Sequence, residues 1–106
     1  MSAWYERVIA AHRAVTDCVS HGTRLKSERY FVWKEDGSND LAAGDTHAEQ
    51  AMTGGTELYT KTEFDPWANE LGRALSKAGI AWQLVGVDFE ETTGLWHYSW
   101  DWEVAV

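Results

Sequence analysis

The chain ends LWHYSWDWEVAV, residues 95–106, and no other stretch constrains the fold as tightly. Trp96, Tyr98, Trp100, Trp102, Val104 and Val106 alternate with His97, Ser99, Asp101 and Glu103. A period of two over this length predicts a strand with one buried and one wet face. An aromatic ring buries roughly 150–250 Å², so this strand must be a floor that other elements cover. Base-stacking platforms also use aromatics, but they add a cationic groove. Here the interleaved positions include Asp101 and Glu103.

Two segments have the pattern needed to cover the floor. Trp4, Val8, Ala11, Val15 and Cys18 form one stripe of an amphipathic helix over 3–19, with Ser2 as N-cap and Gly22 beyond its end. In 63–79, Asp65-Pro66 suits N-cap and N1, Gly79 suits C′, and Trp67, Leu71, Ala74, Leu75 and Ala78 share a face. Trp4, Val8, Trp67, Leu71 and Leu75 are thus expected against Trp96, Tyr98, Trp100 and Trp102.

The remaining strands follow from composition and punctuation. RYFVWK (29–34) reads as a strand after a polar loop at 20–28, and EDGSND (35–40) reads as a turn. LAAGDT (41–46) reads as loop. Residues 46–61 read as a strand bent or bulged at Gly54-Gly55, returning antiparallel beside 29–34. A short helix over 46–52 competes with that reading. In 80–91 the apolar parity shifts from Ile80, Trp82 and Leu84 to Val85, Val87 and Phe89, which predicts a bulge near Gly86. ETTG (91–94) turns this strand into 95–105. The expectation is a single domain over 1–106: an α+β, two-layer fold of order α-β-β-α-β-β, with a mainly antiparallel four-stranded sheet and two helices on one face.

Net charge is −8, from 17 acidic and 9 basic residues. Nucleic-acid binders draw affinity from Lys and Arg on phosphates, so sequence-specific DNA or RNA binding is not expected. No run approaches the ~20 apolar residues of a membrane span, and Glu6, Arg7 and His12 come too early for a signal-peptide core. Neither a membrane partner nor export is therefore expected. The lone Cys18 has no intramolecular disulfide partner.

Chemistry-bearing patterns are sparse. His12, His21, His47 and His97 show no metal-ligand spacing. His47-Ala48-Glu49 matches H-x-E, but the P-C-x-x-C of a zinc deaminase is missing. Counted from Asp36, a calcium loop would need Gly and Glu where Leu41 and His47 stand. Gly54-Gly55 lacks the Lys and the strand–loop–helix frame of a phosphate loop. Asp88, Glu90, Glu91, Asp101 and Glu103 read as a solvated strand face. Cys18 reads as a small buried thiol on the first helix. The sequence thus predicts a non-enzyme with no cofactor, no metal site and no catalytic residue.

YFVWKEDGSNDLAAGDTHAEQAMTGGTELYTKTEFDPW (30–67), together with VDFEETTGLWHYSWDWEV, resembles small head–tail or tail-completion proteins of long-tailed bacteriophages and prophages. The likeness lies in the aromatic strand before EDG, the ND-L and THAE region, ELYTK-EFDPW entering a helix, and the FEE-TG hairpin. The resemblance implies a virion assembly protein of the tail-terminator, tail-completion or head–tail joining type. It implies helices on one face of a small sheet, and self-association, commonly as a hexameric ring, on tail-tube or connector proteins. It places the protein in the virion, and in the bacterial host cytoplasm during assembly. The acidic excess suits a conduit through which DNA slides.

Loops at 35–46 and 53–57, and a C-terminal end expected to overhang the core, supply the candidate interface: Glu35, Asp36, Asn39, Asp40, Asp45, Gly54, Gly55, Val104 and Val106. Two other readings stay open. One is a small acidic module, an inhibitor or DNA mimic occupying a basic site on a protein partner. The other is a ligand-binding or enzymatic domain using the aromatic sheet as a pocket wall.

Overall fold

A computed structural model describes residues 3–38 and 50–106. The elements are α1 (Trp4–Arg13), β1 (Val19–His21), β2 (Arg29–Ser38), β3 (Ala51–Thr60), α2 (Pro66–Lys77), β4 (Ala81–Glu90) and β5 (Leu95–Ala105). The sheet order is β1-β2-β3-β5-β4. All neighbours are antiparallel except β1 and β2, which run parallel. Among the described residues the expected four strands are five, and the sheet is mixed. The strand missed by sequence is the three-residue β1, too short to show a period.

Helix α1 is shorter than the stripe predicted. It ends at Arg13, where the Val15 and Thr16 amides both donate to the His12 carbonyl. Thr16 then turns its hydroxyl onto the Cys18 amide at 3.0 Å, a local bond that competes with continued helix. Cys18 consequently leaves the helix and packs on the opposite face of the sheet, beside Tyr30, Val32, Tyr59 and Leu95. At the other end Ala3 is the N-cap, and its amide donates to Glu6 Oε1 at 3.1 Å. Ser2 lies outside the described residues.

Helix α2 keeps the punctuation read from sequence. The Asp65 carboxylate accepts from the Trp67 amide at 3.0 Å, Pro66 follows at the first helical position, and Gly79 ends the turn at φ +75°. Asp65 also receives both forks of Arg29, at 2.8 and 2.5 Å, so the cap is tied to the start of β2.

EDGS is strand rather than turn. β2 runs on to Ser38 and absorbs one extra residue, Asp36, in a bulge between Glu35 and Gly37. β3 passes straight through Gly54-Gly55, so the irregularity expected there sits on its partner instead. The reason is steric. A Cβ on Gly54 would lie 2.6 Å from the Lys34 carbonyl oxygen and collide with the Trp102 ring. The glycine makes room for a tryptophan rather than for a bend. The short-helix alternative over 46–52 fails at Ala51 and Met52, which are strand; 46–49 lie outside the described residues.

One face of the sheet carries the main core. Val8, Leu71, Leu75, Phe31, Trp33, Leu58, Tyr98, Trp100, Trp102 and Val104 are buried together, with Trp4, Trp67 and Trp96 packed around them. The tryptophans of β5 are thus the floor the alternation predicted. Val104 corrects the expected overhang: it is fully buried, because Met52 of β3 pairs alongside it. The end is also tied down, by Arg7 Nη2 to the Ala105 carbonyl and by the Val106 amide to the Gln50 carbonyl at 3.0 Å.

Candidate interface

A row of exposed apolar residues lies on β4, at the edge of the described sheet. Trp82, Leu84, Val85, Val87 and Phe89 are 40–50% exposed. Their cross-strand partners Trp102, Trp100, Tyr98 and Trp96 show which of them share the helix-bearing face: Trp82, Leu84, Val87 and Phe89. The register slips between Leu84 and Gly86, leaving Val85 as an extra residue. The bulge expected near Gly86 is therefore present, and it returns the apolar residues to the same face.

Helix α2 forms one wall of this surface. A Cβ on Gly72 would come within 2.8 Å of the Trp82 ring, so the helix admits the indole only because that position is glycine. Trp82 Nε1 donates to Ser76 Oγ at 2.8 Å. Between them lies a groove of about 450 Å³, floored by Trp82, Leu84 and Trp100 and rimmed by Asn69 and Arg73. Ser76 also lines it, its hydroxyl taken up by the Trp82 indole.

The other face of the sheet is split. Near Leu95 it is closed: Arg24 lies 3.9 Å over the Tyr59 ring and reaches Glu90 at 2.9 Å. His97 stacks on Tyr59 with ring centroids 4.5 Å apart and meets Glu57 at 2.9 Å. Burial and then the Glu57 charge push the Tyr59 phenol up to about 12. Towards the other end the face opens into a shallow depression of about 280 Å³, lined by Lys34, Asp36, Gly55, Glu57 and Asp101.

Most candidate residues taken from the sequence gather at this end. Glu35 pairs across to Gly54, Lys34 to Gly55, and Gly55 on to Asp101. Glu35 bonds to His21 Nε2 at 2.7 Å, which holds its carboxyl below the usual range. Asp36 is exposed at its bulge, and Val106 is 64% exposed. Gly54 and Val104 are buried and present no side-chain surface. Asn39, Asp40 and Asp45 lie outside the described residues. The sequence reading missed the β4 strip, because apolar alternation looks the same in an edge strand as in a central one. The usual marks of an edge, a Lys or Pro along it, are missing from AWQLVGVDFE, so the strand reads from sequence like a central one.

Among the described residues, no group of three His, Cys, Asp or Glu side chains could hold a metal ion, and no helix is long and apolar enough to cross a membrane.

No family model and no curated protein matches the sequence. Among solved structures, a chain of the virion of native gene transfer agent (GTA) particle has a similar fold, with a TM-score of 0.55 at 15% identity. The match covers 98% of this chain and 91% of that one.

Proposed function

We infer from this likeness that the chain is a structural component of a phage-like virion and acts by assembly rather than by catalysis. The observation that carries the reading is end-to-end correspondence with a single chain of such a particle. A borrowed subdomain would match in part. The exposed apolar edge supports it, since a contiguous apolar surface on a small acidic chain marks a protein–protein contact.

The finer reading is a tail-completion, tail-terminator or head–tail joining factor that self-associates, as a ring, on tail-tube or connector proteins. Its place would be the virion, with assembly in the host cytoplasm. Incubation with purified tail tubes, followed by sedimentation and electron microscopy, tests this directly. Added density at one tube end, with the protein in the pellet, is the expected result. No co-sedimentation with tubes or connectors would sink the finer reading.

A second reading draws on the acidic depression. Glu57, Asp101 and Glu103 project from one face, with Asp36 beside them, as a module docking on a basic protein would require. Salt-sensitive binding to a basic partner, abolished by Asp101→Lys, would favour it over the tail-tube reading.

A further inference from the structure

We propose that β4 pairs antiparallel with β4 of a second copy, forming a twofold dimer centred between Val85 and Gly86. The proposal is independent of the virion reading, because it follows from the strand alone.

Two sheet edges could in principle accept a strand. The β1 side is protected in the usual ways: β1 has only three residues, and beyond it β2 carries Lys34 and the Asp36 bulge. The β4 side has ten residues, neither Lys nor Pro, and no described strand on its outer flank; its one irregularity, the Val85 bulge, falls at the centre of the pairing. Long apolar edges without Lys or Pro are rare on free monomers, since they template association.

The pattern along β4 then selects the occupant. Antiparallel self-pairing about this centre sets Trp82 opposite Phe89 of the second copy and Leu84 opposite its Val87. All four stand on the helix-bearing face. In a regular strand Trp82 and Phe89 would point to opposite faces, because their numbers differ in parity. The extra residue Val85 removes that conflict and makes the strand read the same from either end.

Polar positions agree. Gln83 falls opposite Asp88 and Ala81 opposite Glu90, so no carboxylate meets its own copy. Asp88 and Glu90 stand on the face away from the helices, with Glu90 held by Arg24, so the contact on the helix-bearing side is the apolar one. A twofold contact is closed; a ring that used the same edge would have to part the dimer first.

Light scattering and disulfide trapping test the pairing. The wild-type chain should have twice the monomer mass. Leu84→Lys and Val87→Glu, both at exposed positions, should each remain folded and weaken association at least about tenfold. Mixing the two variants should restore a dimer, because the lysine introduced in one copy would then face the glutamate introduced in the other. In a Cys18→Ser background, Gln83→Cys mixed with Asp88→Cys should form a linked dimer on mild oxidation, while neither forms one alone. A monomeric wild type, a dimer that survives Leu84→Lys, or a mixed sample without the 83–88 link would overturn the proposal.

Discussion

His12 Nε2 lies 2.8 Å from Thr56 Oγ1, joining α1 to β3 in the middle of the core. The ring's other nitrogen lies 2.7 Å from the Val8 carbonyl, which can only accept, so Nδ1 carries the proton. Nε2 must then accept from the Thr56 hydroxyl, which in turn accepts from Trp102 Nε1 at 3.0 Å. The chain of donors is complete only while His12 is neutral. Burial pushes its pKa down from 6.5 to about 4.

That depression sets a pH dependence. Between pH 6.5 and about 4 the unfolded chain takes up a proton that the folded chain refuses. Stability is therefore full above 6.5 and falls as the pH drops towards 4, by up to about 3 kcal/mol at ~1.4 kcal/mol per pKa unit. Urea unfolding at pH 7.5 and 4.5 should show the loss in the wild type and a much smaller one in His12→Gln. Equal slopes would refute the assignment.

Arg29→Ala should cost about 2 kcal/mol, because it strands a fully buried carboxylate. Asp65 would keep its bonds to the Trp67 amide and the Thr60 hydroxyl but lose both guanidinium forks, and Trp67 would lose the cation 3.7 Å from its ring. Burial raises the Asp65 pKa, but the Arg29, Trp67 and Thr60 bonds outweigh it and hold it below 3.8. The stabilisation is thus present above 3.8 and lost as the pH falls below it, a lower window than that of His12. Thermal melts across pH 2–6 should separate the two.

Gly54→Ala should destabilise by about 1–3 kcal/mol through overpacking. Its Cβ meets backbone as well as the Trp102 ring, so no rotamer change relieves it. Gly55→Ala should cost less, since its nearest contact is the Trp100 carbonyl at 3.1 Å. The reverse order in chemical denaturation would show that the glycines serve something other than β3–β5 packing.

Removing Val104–Val106 should cost about 2–3 kcal/mol, the worth of one buried valine and its neighbouring bonds. Removing Val106 alone should change stability by no more than about 0.5 kcal/mol. Comparison of the two midpoints separates core from overhang.

Phe64 stands at φ +56° and is 84% exposed, a left-handed conformation that costs a non-glycine residue about 1 kcal/mol or more. Phe64→Gly should raise stability by up to about 1 kcal/mol. A fall would mean that the ring makes contacts which outweigh its strain.

Legibility in the sequence followed the reach of each signal. The alternation of β5 and the Asp65-Pro66 cap are local, and both stand as read. The stripe through Val15 and Cys18 kept helical phase by coincidence, because Thr16 had already diverted the backbone. The glycine pair looked like a bend, since the tryptophan it accommodates is almost fifty residues away. Sheet order was hidden for the same reason. Nothing in 81–90 states that β4 is an edge, so its exposure, the main feature of the candidate interface, emerged only in three dimensions.

The sheet order has a kinetic consequence. Of the five described strands β5 is synthesised after the others, yet it lies between β3 and β4. Until it arrives, β4 has no neighbour in its own sheet and β3 lacks one of its two. The cooperative core cannot close around a partial chain, and most of the contacts that close it are distant in sequence, a topology that folds slowly. For that interval β4 is bare on both sides, and a nascent chain is most vulnerable to mispairing with another.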